Sequence, residues 1–198
     1  MLKAIINKSL SVTIVAALGL VAVAPTAAAS GGEVYFTVRQ LLADEFSGSE
    51  RVSFVRVAPK SEVRAAIEKR LGRKLPHGEY TFYVARTGDH VDGYALFDEE
   101  RGQHELISFG TFFDAQGKVT RVEVLAYREP YGDGIRAERF RRQFVGRGAV
   151  SGFRAEHDID AVSGSTISSH AMCVGVQRAS VLLDALVLAR GAVLASAH

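Results

Sequence analysis

The chain of 198 residues has a single cysteine, Cys173, and that scarcity removes several chemistries at once. An intramolecular disulfide needs a partner thiol, and a C-x-x-C-H haem attachment or a cysteine-rich metal centre needs more still. The six histidines, at 77, 90, 104, 157, 170 and 198, show no H-E-x-x-H or comparable ligand spacing, so no metal site is expected. There is neither a G-x-S-x-G elbow nor an S-x-x-K, which leaves a serine hydrolase without its usual nucleophile setting. Internal repeats, low-complexity tracts and long linkers are also missing.

An excess of positive charge is lacking too, once the first residues are set apart. "MLKAIINKSLSVTIVAALGLVAVAPTAAAS" opens with Lys3 and Lys8, runs apolar from Leu10 to Ala24, and closes on Pro25 and the small residues Ala27, Ala28 and Ala29. This order of basic end, apolar stretch and A-x-A site predicts a secretory signal peptide over 1–29, with an uncleaved anchor as the alternative. Its removal takes away two lysines and no acids, leaving 22 basic and 22 acidic residues. A neutral exported chain has neither the compartment nor the electrostatic footprint for a nucleic-acid partner. Residues 30–198 are the right length for one domain with a real core.

The rest of the chain predicts an α+β fold: an antiparallel sheet of about five strands flanked by helices, with a long buried helix at the C-terminus. "RVSFVRVAP" (51–59) has the β-branched and aromatic content of a strand ended by Pro59. "KSEVRAAIEKRLG" (60–72) reads as a helix with Ser61 as N-cap, Val63, Ile67 and Leu71 on one face, and Gly72 as C-cap. Four further strands, at 80–86, 90–99, 104–114 and 118–129, are separated by "TGD", "ERGQ" and "AQG" at hairpin spacing. A second helix is expected over 135–146, with Ala137, Phe140 and Phe144 on its apolar face. The last helix is expected from about Ile167 to Arg190, apolar on most of its surface.

The most informative stretch is "DIDAVSGSTISSHAM" (158–172), where Ser163, Gly164, Ser165 and Thr166 crowd one turn at a helix start. A helix cap needs one hydroxyl, and this turn has three, followed by Ser168 and Ser169. A Ser/Thr cap with extra turn formers is the simpler account. The other account is an anion site: Gly164 lets the backbone fold into a concave nest of N–H groups, and the helix start adds its positive dipole end. Composition alone leaves both open.

Asp160, Ser163, Gly164, Ser165 and Thr166 spell D-x-x-S-G-S-T. This closely resembles the D-x-x-(S/T)-G-A-T signature of FMN-binding domains, among them the covalently flavinylated subunits of Rnf-type and sodium-pumping NADH:quinone reductase complexes and many exported flavoproteins. In that family a flavin transferase, with FAD as donor, attaches FMN to the final threonine through a phosphoester. The resemblance extends over about residues 50 to 190, including the paired strands of 93–132. It implies that Thr166 carries FMN covalently, that Gly164 shapes the loop, and that Asp160 and Ser163 belong to the recognised motif. Ser165 stands where alanine is commonest, and "YREPYG" replaces an E-T-P-G-like segment in which Glu129 and Gly132 correspond.

The expected cofactor contacts are therefore Thr166, Ser163, Gly164, Ser165, Asp160, Ser168 and Ser169, with Glu129 and Arg128 on a loop that would face the flavin. No catalytic residue is expected within the chain, because activation of Thr166 falls to the transferase. Tyr127 and Tyr131 are candidates for stacking on the flavin ring, and His170 reads as an ordinary helix-face histidine. The arginines at 136, 139, 141, 142 and 147 form either an acidic-partner surface or a solvated helix face. The implied function is an extracytoplasmic electron carrier with membrane-side redox partners, periplasmic or on the outer face of the cytoplasmic membrane. The alternative is an exported non-redox ligand-binding or scaffold domain with a phosphate site at the same helix start.

Overall fold

The computed structural model describes residues 33–128 and 133–189. The signal-peptide stretch 1–29, Glu129 with Tyr131 and Gly132, and the chain from Arg190 onward lie outside the described residues.

The sheet is antiparallel throughout, as the hairpin spacing predicts. Strands β2 (Arg51–Val57), β3 (Tyr80–Thr87), β4 (His90–Arg101), β5 (Leu106–Asp114) and β6 (Val119–Tyr127) follow one another as neighbours. A sixth element, the two-residue β1 (Glu33–Val34), sets Val34 opposite Ala126 on the open edge of β6. β6 ends at Tyr127, two residues short of the expected strand. The helix α1 (Val38–Glu45), which sequence patterning does not signal, starts on a capping box: Gln40 N–H donates to Thr37 Oγ1 at 3.2 Å, and Thr37 N–H donates to Gln40 Oε1 at 2.8 Å.

Two expected helices need correction. In α2 (Ser61–Leu71) the N-cap position falls on Lys60, so Ser61 is already helical and caps nothing. Gly72 does close α2 in the left-handed region, with φ 68°. The span 135–146 is not one helix: a 3₁₀ turn (Asp133–Arg136) precedes the short α3 (Glu138–Arg141), and a second 3₁₀ turn (Arg142–Phe144) follows. Ile135, Phe140 and Phe144 are all fully buried. A five-residue spacing lies well off the face that i, i+4 spacing defines. The chain therefore leaves helical geometry at Ala137, whose ψ is 131°.

α4 (Thr166–Leu183) continues through a π-type turn (Asp184–Leu188) and runs across one face of the sheet. Met172, Val176, Ala179, Leu182 and Leu183 are fully buried in the main core beside Phe82, Phe109 and Phe113 of the strands. The helix has the length and apolarity of a membrane span, but 67% of its most apolar window is covered by protein. It is built as a core helix. The axis comes close enough to β5 that a Cβ at Gly175 would collide with the Cζ edge of the Phe109 ring. A smaller cluster of Leu41, Ala95, Phe112 and Leu125 occupies the other face, beneath α1. Beside it, the rings of Tyr83, Phe97, Phe112 and Phe46 meet edge to face at 5.6, 5.7 and 6.0 Å.

Arg178, on α4, is a charged residue buried in this core, 2% exposed. Its guanidinium donates to Asp98 Oδ2 at 2.8 Å, Glu100 Oε2 at 2.6 Å and the Glu99 carbonyl at 2.8 Å. Asp98 is held from its other side by His77 Nε2, 3.2 Å from Oδ1. Removing one partner from such a network leaves a charge without compensation. Replacing Arg178 with methionine should cost about 3–5 kcal/mol of stability, measured as a lowered denaturation midpoint in urea.

Candidate cofactor attachment site

The seven residues Asp160–Thr166 form a turn that is held at both ends. At its start, Asp160 N–H donates to Gln143 Oε1 at 2.7 Å, and Gln143 Nε2 donates back to the Asp160 carbonyl at 3.2 Å. At its end, Ser165 N–H donates to the Val162 carbonyl at 2.8 Å, closing the turn around Ser163 and Gly164. Gly164 has φ 74° and nothing within 4 Å of where a Cβ would sit. Backbone angle, and not crowding, is what makes glycine the favoured residue there. The 3₁₀ turn at Asp133–Arg136 lies against this loop, since a Cβ on Gly134 would meet Val162 at 2.6 Å.

Ser165 takes the N-cap position of α4, yet its side chain makes no capping hydrogen bond. The simple explanation for the hydroxyls, a Ser/Thr cap, does not describe this turn. The cap side chain leaves the first-turn N–H groups alone, and that turn contains no acidic residue. The positive end of an 18-residue helix therefore faces outward with no acid of its own first turn to offset it.

The hydroxyls divide into two sets. Thr166 and Ser163 are exposed, as are Gly164 and Asp160, while Ser165 is buried. Ser168 and Ser169 point into the protein. Ser168 Oγ shares a hydrogen bond of 2.9 Å with the Tyr127 hydroxyl, and Ser169 Oγ accepts from Val162 N–H at 3.1 Å. These two serines, expected as cofactor contacts, brace the loop from behind. Tyr127 is likewise interior, 4% exposed, so the expectation that its ring stacks on a flavin gives way to a structural role.

Arg128, the next residue, lines an open groove of about 530 Å³ beside α1, together with Phe36, His77, Phe97 and Glu99. The structure therefore places Arg128 in a groove that contains none of the residues 160–166. His170 is exposed, with Nε2 3.9 Å from Glu156 Oε2. The arginine cluster is largely tied to the fold. Arg141 pairs with Glu123 at 2.6 Å, Arg142 with Glu138 at 2.7 Å, and Arg136 lies 3.5 Å over the Tyr35 ring. Arg147 donates to the carbonyls of Gln143, Gly152 and Asp158 at 2.8, 2.7 and 2.6 Å. Among the described residues no cluster of histidine, cysteine and carboxylate side chains could hold a metal ion.

The residues present fit a phosphoester at Thr166. Its hydroxyl-bearing side chain is exposed at the first helical position, where N–H groups and the helix dipole favour a single negative charge. Residues 102–181 match the FMN-binding domain family, a stretch from the turn between β4 and β5 through most of α4 that includes the whole turn at 160–166. The similarity to that family is confined to this stretch of the chain. Among solved structures, Shewanella oneidensis NqrC is similar at a TM-score of 0.45 and 14% identity, over 68% of this chain and 79% of that one. No curated protein matches the chain at a significant level.

The sequence does not signal Gln143, and it offers Arg147 only as one of a surface arginine cluster, because nothing local indicates that they reach backbone groups farther along the chain. Asp158 completes the same corner. Hydrogen bonds from the Arg154 side chain, the Arg154 N–H and His157 hold its carboxyl well below the ordinary range. A lowered folded-state pKa means that the stabilisation is complete above the unfolded value of about 3.9 and fades as pH falls below it. The stability difference between wild type and Asp158→Asn should be constant near neutral pH and shrink below about pH 4, as followed by urea denaturation. Burial pushes the Cys173 thiol up to about 12. Cys173 should resist a thiol reagent in the native protein and react only on unfolding, read by mass spectrometry.

Proposed function

We propose that the chain is an extracytoplasmic flavoprotein that carries FMN covalently on Thr166 and relays electrons between membrane-side partners. One observation carries the reading. Thr166 is exposed at an uncapped helix start, two residues after the left-handed Gly164, within a D-x-x-S-G-S-T turn in the stretch that matches the FMN-binding domain family. Attachment joins Thr166 Oγ to the phosphorus of the FMN half of FAD. The pyrophosphate bond breaks, AMP leaves, and the hydroxyl proton passes to a base on the flavin transferase. The chain needs no nucleophile-activating base of its own.

FMN supplies the capacity to exchange electrons singly or in pairs, which suits a relay between two-electron donors and one-electron acceptors. This chain contributes position and charge. The α4 start holds the phosphoester anion, Gly164 shapes the turn, and Ser168, Ser169 and Tyr127 fix that turn against the core. Covalent linkage also suits an exported protein, since a dissociating cofactor would be lost by dilution. The stretch 1–29, read as a signal peptide, supports export, and residues 30–198 then form the mature domain.

Flavin fluorescence in a denaturing gel tests the reading. Wild-type protein exported with a flavin transferase should give a fluorescent band, and Thr166→Ala should abolish it. A dark wild-type band would return the helix start to a non-covalent anion site.

A further inference from the structure

The motif read by the transferase is a short run of sequence, but in the folded chain it is presented by residues outside it. Gln143 forms a two-point clamp on the backbone of Asp160, the first residue of the turn, accepting from its N–H at 2.7 Å and donating to its carbonyl at 3.2 Å. The same residue's carbonyl is held by Arg147 Nε at 2.8 Å. Arg147 Nη1 and Nη2 donate to the Gly152 and Asp158 carbonyls, at 2.7 and 2.6 Å. Three separated pieces of backbone, at 143, 152 and 158, thus converge on one guanidinium. Asp158 in turn accepts from Arg154 N–H at 2.8 Å and Arg154 Nε at 3.0 Å. On the far side of the turn, Ser169 Oγ takes the Val162 N–H.

Gln143 binds main-chain atoms, so it fixes the path of the turn whatever side chain stands at 160. Its amide suits the task because it offers one acceptor and two donors on a single planar group. A carboxylate would keep the acceptor and turn a second oxygen toward the Asp160 carbonyl. An alanine would leave both backbone groups to water.

We infer that Gln143, seated by Arg147, is a positioning residue for flavin attachment: it holds Asp160–Thr166 in the folded shape that the flavin transferase recognises. The inference rests on the attachment reading above. It makes the transferase a reader of a preformed surface turn. A transferase that reads an extended segment would be hindered by the clamp.

The test uses full-length protein made without the transferase, then incubated with purified flavin transferase and FAD, with in-gel flavin fluorescence read against time. Gln143→Ala should raise KM for the protein substrate about tenfold with kcat little changed, the scale expected from two lost hydrogen bonds. Gln143→Glu should fall between it and wild type. Ile67→Val, a core change in α2 distant in sequence from the clamp, gives a protein of lowered stability whose KM should remain that of wild type. An unchanged KM in Gln143→Ala, or a lowered one, overturns the clamp, as does an equal rise in Ile67→Val. Should Gln143→Ala not fold, Gln143→Glu alone decides between a raised and an unchanged KM. A wild type that stays dark overturns attachment at Thr166 itself, which the labelled arms keep separate.

Discussion

The guanidinium of Arg178 sits inside a helix that is otherwise apolar enough to cross a membrane, and its placement governs the rest of the molecule. A charge this deeply buried is tolerable only when its donors are met. Here they are met by Asp98, Glu100 and the carbonyl of Glu99, all on β4. Apolar contacts alone would let a helix slide or rotate by part of a turn at small cost, because one buried valine replaces another. The ion network removes that freedom. One turn earlier, Gly175 lets the helix settle against Phe109, so the same stretch of α4 is fixed in register, rotation and depth.

From that anchor the helix runs back about 18 Å, twelve residues at 1.5 Å each, to Thr166. A rigid helix seated in the core is a precise way to hold one side chain at a surface. Its start points outward with an uncapped positive end, while Ser168 and Ser169 on the following positions turn inward to Tyr127 and Val162. Neighbouring hydroxyls of the same chemistry therefore acquire opposite roles through helical rotation alone. The exposed one remains free for chemistry, and the buried ones hold the turn.

How far this was legible in advance differs between elements. The meander β3–β6 was readable because glycine-containing turns at hairpin spacing specify local antiparallel pairing, and α4 because its apolar surface is nearly continuous. Gly164 was readable because a left-handed turn selects for glycine whatever surrounds it. The helix expected at 135–146 was not readable as a broken one. Its break comes from burying Ile135, Phe140 and Phe144 together in a site whose shape is set by β6 and α4. Tyr127 looked like a turn-flanking ring available to a ligand, and only the packing of β6 beside α4 sends its hydroxyl to Ser168.

The sequence by itself determined the class of fold and singled out the D-x-x-S-G-S-T turn with Thr166 as the candidate site, since these rest on short-range pattern: hairpin spacing, helical periodicity and an ordered run of small residues. Tertiary structure alone decided which hydroxyls of that run are free, which residues clamp the turn, and where α4 stops sliding. Those outcomes depend on contacts between residues separated by 17 positions, as for Gln143 and Asp160, or by 80, as for Asp98 and Arg178. A hydrogen bond or buried ion pair leaves no periodic trace in either segment, because each partner is locally an ordinary polar residue. Only the folded chain brings them within reach.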